Sequence, residues 1–362
     1  MQQIESALLA NNIEFLTVDR FGYTEDKISW ADLIITSGGD GTFLMAASKV
    51  NSRDKPVIGI NSDPTKSVGH LCLPSKYSNN FDQVIDLLKR GQFQWQYKQR
   101  LRVTLIGEAA DEEPKQLNDI RCDLRGFFDQ DLDQAKCSNQ QQQPNHCHHY
   151  QQHQHHQNQQ PQQQESQQTL TSNKSFHTVD GRVIYKTRQL KERALNEVFV
   201  GETLSARVSY YELSIDGNKL IKMKSSGLTV CTGTGSTSWY FNINKLTEQQ
   251  VQSIVTIINN VAGSAPIEAN DSVAIGEITK QFNEKLTFPS TEPIMAYSIR
   301  DPVDYASLLS HHHRGHAKRI EVKSRMQNAC LVLDGCQFYP FNDGSYALLE
   351  MFDEDALKTI AV

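Results

Sequence analysis

Apolar positions recur with two different rhythms along this chain, and the rhythm changes near residue 95. Before that point, short apolar runs alternate with amphipathic stretches. Residues 2–10 have helical spacing, Ile13–Val18 reads as a strand, and Leu33–Thr36 reads as a second strand. Thr42–Val50 follows as a helix and Val57–Ile60 as a third strand, and a further helix in FDQVIDLLKRGQF ends at Gly91. Strands and helices joined by short Gly-, Asn- and Pro-bearing turns predict a Rossmann-like parallel α/β unit over 1–95. Such a sheet usually opens on its own strand, so the first strand is expected upstream of Met1, in a longer form of the protein.

From residue 96 the runs become rich in β-branched and aromatic residues: YKQRLRVTLIGE, RALNEVFVGE, ARVSYYELSIDGNKLIKMKSSGLTVCTGT and ACLVLDGCQFYPF. Turn signals such as Asp216-Gly217 break them. They predict a mostly antiparallel, β-sandwich-like unit over 96–340, with a helix at Gln249–Asn260. Residues 341–362 are expected to return to the N-terminal unit as an ordered end. Inside the β-rich unit, residues 137–168 read CSNQQQQPNHCHHYQQHQHHQNQQPQQQESQQ. Such a tract cannot bury enough apolar surface to offset its ordering entropy, and it marks a disordered Gln/His insertion over 111–177. No repeat with a period of 20 to 50 residues is visible.

The chain has 362 residues, enough for two ordinary domains. Charged residues make up 22% of it and the net charge is −6, which argues against general attraction to nucleic acid or an anionic membrane. Single basic residues remain able to bind phosphate. No apolar run approaches a membrane span, so a soluble protein is expected. Seven cysteines lie scattered without a CxxC pair, a usage that suits a reducing compartment. Cys137 and Cys147 stand among many histidines. Low-complexity drift accounts for those histidines better than zinc does, so no protein metal cage is expected. The opening MQQIESALLANNIEFL has neither the basic start and apolar core of a signal peptide nor the Arg- and Ser-rich character of a transit peptide.

The candidate chemistry begins in ADLIITSGGDGTFLMAASKV, where Gly38, Gly39 and Gly41 surround Asp40 between an apolar run and a helix. Glycines tolerate positive φ and let a backbone come close to a ligand. A glycine loop leading into a helix aims N–H groups and the positive helix end at one point, which suits a phosphate. An acid there repels phosphate. It makes sense if it faces a hydroxyl beside the phosphate and takes its proton, or if it holds a metal. The plainer alternative is a tight turn with a capping aspartate. The loop is neither a Walker A motif nor a GxGxxG fingerprint. It resembles the GGDGT loop shared by NAD kinases, by diacylglycerol and sphingoid lipid kinases and, in a close variant, by phosphofructokinases. That resemblance implies phosphoryl transfer to a hydroxyl and leaves the acceptor open.

Three later stretches narrow the acceptor. ALNEVFVGE sets Asn196 beside Glu197, an amide and a carboxylate suited to vicinal ribose hydroxyls, although such a pair is also common as plain surface polarity. SSGLTVCTGTGSTSWYFN carries a second loop of hydroxyls and glycines, Thr232 to Thr237, followed by the flat face of Trp239. GINSDPTKSVGHLCLP, residues 59–74, holds His70 and Leu71, with His70 read either as a solvated loop histidine or as a pocket wall. With YSIRDPV and LVLDGCQFYPFNDG, the chain resembles the NAD kinase family, in the group found in animal mitochondria. The family's second loop is usually T-P-T-G-S-T-A-Y, and here Gly233, Ser238 and Trp239 replace the proline, the alanine and the tyrosine.

The resemblance implies ATP-dependent phosphorylation of the 2′-hydroxyl on the adenosine ribose of NAD. It implies that Asp40 is the catalytic base that takes the proton of that hydroxyl. Gly38, Gly39, Gly41, Thr42, Thr234, Gly235 and Ser236 would meet phosphates. Gly41, His70, Leu71, Asn196, Glu197, Thr237, Ser238 and Trp239 would line the NAD site, Asn196 and Glu197 at the nicotinamide-side ribose. Mg²⁺ would come with ATP. A mitochondrial homodimer is also implied; with no address visible from Met1, a longer product is expected to carry it, and a cytoplasmic form stays open. Two other readings share the glycine loop: a lipid kinase, which would need an apolar channel and leaves Asn196 and Glu197 unexplained, and an inactive nucleotide-binding relative.

Overall fold

A computed structural model describes residues 1–111, 115–116, 176–179, 182–264, 267–303 and 312–362. The expected Gln/His insertion over 111–177 lies almost wholly outside these residues. The chain begins with α1 (Gln2–Ala10), α2 (Glu25–Trp30), β1 (Ile34–Ser37), α3 (Asp40–Ser48), β2 (Val57–Ile60) and α4 (Phe81–Lys89). β1 and β2 pair in parallel, Ile34 opposite Val57. α1 turns Ile4, Ala7 and Leu8 inward, and α4 turns Phe81, Val84 and Ile85 inward. These meet Ile58 and Ile60 of β2 in one core. The helical and parallel pattern read from the sequence is therefore present, with α3 starting two residues earlier than expected. That shift brings Asp40 into the first turn of the helix.

One expected strand does not form. Residues 13–18 join no ladder, and Ile13 and Leu16 stay exposed. The reason is the missing partner. β1 is paired on one side only, and a cavity of about 950 Å³ separates that open edge from residues 13–19. A strand exists only with a neighbour about 4.8 Å away to take its N–H and C=O groups.

Next come β3 (Gln94–Lys98), β4 (Leu101–Ile106), β5 (Lys115–Gln116), β6 (Phe176–Val179), β7 (Arg182–Tyr185), β8 (Thr187–Gln189) and β9 (Glu197–Glu202). β10 (Ser209–Ile215), β11 (Ile221–Ser225) and β12 (Leu228–Cys231) follow, then three helices: α5 (Trp239–Asn244), α6 (Glu248–Ala262) and α7 (Ser272–Glu284). The chain closes with β13 (Met295–Ile299), β14 (Arg314–Ala317), β15 (Arg319–Ser324), β16 (Ala329–Leu333), β17 (Gln337–Pro340), β18 (Tyr346–Met351) and β19 (Leu357–Ala361).

One sheet runs β11-β10-β15-β18-β4-β8 and the other β14-β13-β12-β9-β16-β17-β5. Both are antiparallel, and alternate residues such as Leu101, Val103 and Leu105 point inward. A shared core joins them, with Val103, Leu213 and Leu349 from the first sheet meeting Val198, Val230 and Leu331 from the second. This is a sandwich. β18 belongs to it, pairing with β15 and β4. β19 instead pairs with β3, and Leu357 and Ile360 enter the cores of the α/β unit.

The two units meet at Arg100, between β3 and β4. This residue is fully buried. Its Nη1 donates to the carbonyls of Ala47 (2.9 Å) and Val50 (2.7 Å) at the C-terminal end of α3, and its Nε donates to the Asp355 carbonyl (2.5 Å). Around it, Arg102 and Arg193 grip the Asp355 carboxylate at 2.5 and 2.8 Å. Burial pulls the Arg100 guanidinium down to about 10, with Asp355 opposing, so it stays charged at neutral pH. Three carbonyls bonded to one buried cation predict a large loss on removal. Arg100→Met is expected to cost about 3–5 kcal/mol of stability in urea unfolding, and Arg100→Lys to recover less than half, because an ammonium cannot span the three acceptors. A loss below about 1 kcal/mol in Arg100→Met would contradict this role.

Candidate active site

The first loop continues the β1–β2 ladder, with the Gly38 N–H donating to the Ile60 carbonyl at 3.0 Å. A Cβ on Gly38 would lie 2.3 Å from Thr42 Oγ1, so a side chain is excluded there, whereas Gly41 has open space. None of Gly38, Gly39 and Gly41 has positive φ. What these glycines contribute is smallness and an accessible backbone rather than an unusual conformation. Gly39 stands at the N-cap of α3 and Asp40 is the first helical residue.

Asp40 is held by backbone. The Leu71 N–H donates to its Oδ1 at 2.8 Å and the His70 N–H to its Oδ2 at 3.1 Å. The segment 61–71 turns to present these two amides because Gly69 takes φ +68. Asn61 Nδ2 sits 2.6 Å from where a Gly69 Cβ would be and donates to the Ser67 carbonyl at 2.7 Å. His70 and Leu71 thus reach the site through their amides, which a side-chain reading of the sequence could not anticipate. The His70 side chain itself is exposed.

The second grouping forms where β9 begins. Gly235 packs so close to Asn196 that a Cβ would lie 2.1 Å from the Asn196 carbonyl oxygen. Thr232 Oγ1 donates to the Leu195 carbonyl at 2.5 Å, and the Thr232 N–H to the Asn196 carbonyl at 2.9 Å. Asn196 Nδ2 donates to Ser238 Oγ at 3.5 Å. Leu195 packs beside Phe43, Leu44 and Ala47 of α3, which ties this grouping to the helix that Asp40 opens.

The loop residues divide by where their hydroxyls go. Ser236 is fully buried, donates to the Gly233 carbonyl at 2.7 Å and accepts from the Phe288 N–H at 3.2 Å. Its hydroxyl thus ties the loop to the segment at Phe288. Thr234 Oγ1 is buried and makes no hydrogen bond with the described residues. Thr237 is exposed, with its hydroxyl on the Thr234 carbonyl at 3.2 Å. Trp239 is 37% exposed, its ring 5.4 Å from Phe199 and covered by the Arg300 guanidinium at 5.0 Å. That arrangement braces one face of a flat wall.

Two carboxyls interact here, the buried Asp334 and the half-buried Glu197. Asp334 accepts backbone N–H groups from Leu195, Asn196 and Glu197, while Glu197 Oε2 has no protein partner among the described residues. Burial, and then the Asp334 charge, push the Glu197 carboxyl up to about 8; burial pushes Asp334 up to about 6 against the pull of its three amides. The anion therefore belongs on Asp334, where donors meet it, and the proton on Glu197. Asn196 Oδ1 is likewise buried without a protein partner. At neutral pH Asn196 offers an acceptor and Glu197 an O–H donor, groups suited to hydroxyls. Among the described residues no group of three or more His, Cys, Asp or Glu gathers as a metal cage.

Fold and loops together define a kinase of the GGDGT class. The family model for the ATP-NAD kinase N-terminal domain matches residues 19–93. The chain is 36% identical to NAD kinase 2, mitochondrial, of Xenopus tropicalis, over 99% of this chain and 78% of that protein. It is 35% identical to the Homo sapiens protein of the same name, over 99% and 72%. In fold it is similar to an NAD kinase from Archaeoglobus fulgidus solved in complex with ATP: TM-score 0.52 and 15% identity, covering 99% of this chain and 88% of that one. The chain belongs to the NAD kinase family.

The Glu197 carboxyl gives a pH test. The folded protein keeps this proton to about pH 8, whereas the unfolded chain releases it near its ordinary value of 4.5. Stability therefore falls as pH rises through that window and levels off above it. Denaturant unfolding from pH 5 to 9 is expected to lose a slope of about one proton in Glu197→Gln. An unchanged slope in the variant would place the proton elsewhere.

Proposed function

We propose that this protein transfers the γ-phosphoryl group of ATP to the 2′-hydroxyl of the adenosine ribose of NAD, giving NADP and ADP. The observation that carries the reading is the pair of carboxyl sites built on one frame. Asp40 lies at a helix start with both oxygens held by amides, and Asn196 and Glu197 offer unpartnered buried polar atoms across Leu195. Relatives about 35% identical along nearly the whole chain carry the NAD kinase 2 name, which supports the same acceptor.

In this reading Asp40 accepts the proton of the 2′-hydroxyl as the oxygen bonds to the γ-phosphorus and the bond to the β-phosphate oxygen breaks. The phosphoryl-transfer transition state is loose, so the proton leaves late and orientation counts as much as basicity. The two amides fix the carboxylate while leaving lone pairs for the hydroxyl. Gly38, Gly39, Gly41, Thr42, Thr234 and Gly235 line the phosphates, and Ser236 holds its loop from inside. Asn196 and Glu197 bind ribose hydroxyls, with Thr237, Ser238, Trp239 and the His70–Leu71 turn as walls. Mg²⁺ enters with ATP through phosphate oxygens, and no step is derived from a metal held by the protein.

The proposed organisation keeps an α/β unit over 1–95, whose open β1 edge has room for one more parallel strand. It keeps a β-rich NAD-binding unit over 96–340 and a C-terminal segment over 341–362. A homodimer and a mitochondrial location complete it. Sedimentation of the purified chain as a monomer, or exclusion of the tagged full-length product from mitochondria, would remove those two points.

Asp40→Asn keeps size and hydrogen bonding but cannot take a proton. NADP formation is expected to fall by about 10²-fold or more while NAD binding by calorimetry survives. Affinity for ATP is expected to hold or rise, because a charge that repels phosphate has gone. Near-normal turnover in the folded variant would take Asp40 out of the mechanism.

A further inference from the structure

Asp334 is a deeply buried carboxylate with no substrate-facing role in the reading above, and its surroundings are unusual. It follows β16, in the short loop to β17, with φ +49, and Gly335 beside it has φ +63. A turn of this shape needs only a residue that tolerates the left-handed region, and asparagine or aspartate does so readily. The turn does not explain where the side chain goes. Oδ2 accepts from the Leu195 N–H at 2.7 Å, and Oδ1 accepts from the Asn196 N–H at 2.8 Å and the Glu197 N–H at 3.0 Å. Three consecutive amides converge on one anion, an arrangement otherwise found where a backbone nest binds a ligand.

The carbonyls of the same three residues are also held. Those of Leu195 and Asn196 accept from Thr232, and that of Glu197 accepts from the Asp334 N–H at 2.9 Å. Each of the six backbone polar groups from Leu195 to Glu197 therefore bonds to Asp334 or to Thr232 of the glycine loop. Leu195 and Asn196 precede β9, which begins at Glu197, so no helix or strand ladder of their own fixes those two residues. Their side chains nonetheless have to present two particular atoms, Asn196 Oδ1 and Glu197 Oε2, without protein partners.

We propose that Asp334 is the positioning residue of the NAD site: by gathering the amides of Leu195, Asn196 and Glu197 on one carboxylate, it fixes the backbone from which Asn196 and Glu197 meet the ribose hydroxyls. The proposal rests on the reading that these two residues bind NAD. Asp334 touches no substrate and acts through the two residues it holds. It also couples the NAD site to the hairpin between β16 and β17, since any shift of that hairpin moves the carboxylate. Aspartate suits the task better than asparagine, because three N–H donors need acceptors only, and an amide would turn its NH₂ against at least one of them.

The test uses Asp334→Asn, which keeps shape and tolerance of positive φ, in the full chain. Two measurements separate this proposal from the functional reading. The first needs no ligand: amide hydrogen exchange at residues 195–197 is expected to speed up by at least tenfold, while amides of β10 and β15 keep their protection. The second is NAD affinity by calorimetry, with steady-state kinetics. Kd and KM for NAD are expected to rise about tenfold or more, with KM for ATP within twofold of the parent. In combination with Asn196→Ala, the loss of NAD affinity should be clearly less than the sum of the single losses, because both changes act on one contact.

Additive losses, or equal damage to ATP and NAD, would make Asp334 a general stability residue and overturn the proposal. Faster exchange at 195–197 with unchanged NAD affinity would overturn it as well. If the wild type bound no NAD, the functional reading would fail, and unchanged exchange would then sink the Asp334 assignment separately. Should Asp334→Asn not fold, Asp334→Glu, which keeps the charge and displaces it by one methylene, takes its place with the same expectations.

Discussion

The guanidinium of Arg100 joins the end of α3 to the closing segment of the chain. It sits in the junction between β3 and β4, fully buried, and donates to two carbonyls at the end of α3 and one in the closing segment of the chain. The C-terminal end of a helix carries partial negative charge, so a cation belongs there. Removing that cation from water is costly, and three charge-assisted bonds in good geometry offset the cost only while all parts stay in place. Clamping α3 at this end fixes its axis, and Asp40 stands at the other end. The α/β unit is thus aligned with the sandwich by electrostatics at the tail of the helix, with the apolar contact of Leu195 on Phe43 and Leu44 alongside.

Both ends of the candidate site follow one rule: backbone amides hold carboxylates, and the carboxylates set positions. At Asp40 two amides from residues 70 and 71 hold an acid that remains reachable. At Asp334 three amides from residues 195–197 surround an acid in the interior, and there the backbone is the part being positioned. Reciprocity of this kind gives rigidity to both carboxylates and to the backbone that holds them. It also separates the two neighbouring carboxyls chemically. Asp334 keeps the charge because donors meet it, and Glu197 keeps the proton because burial and that charge disfavour a second anion.

The sequence made the loops legible because their chemistry is local. A glycine run around an aspartate, an Asn-Glu pair and a Thr/Gly/Ser run each announce themselves within a few residues, and period-two alternation in residues 101–106 announces a strand. What stayed hidden depends on distant partners. Arg100 looks like one more charge in YKQRLRV, since its acceptors are about 50 and 255 residues away. Asp334 was hidden by its own motif: an Asp-Gly between two apolar runs already has a sufficient explanation as a hairpin turn. Ser236 was placed at the phosphates by the family resemblance, whereas its hydroxyl bonds to the Gly233 carbonyl and the Phe288 N–H. Ile13–Val18 had the right residues for a strand but no neighbour beside it, and pattern alone cannot supply a neighbour.

Phosphoryl transfer to one particular hydroxyl leaves its mark in the position of the product phosphate. The full-length protein would be incubated with Mg²⁺, NAD and ATP labelled at the γ-phosphoryl, with diacylglycerol in a parallel reaction, and the product located by phosphorus NMR. One equivalent of ADP is expected for each NADP, with the label on the 2′-oxygen of the adenosine ribose and none on the lipid. Label on another hydroxyl of NAD, label on diacylglycerol, or ADP released without phosphorylated NAD would contradict it.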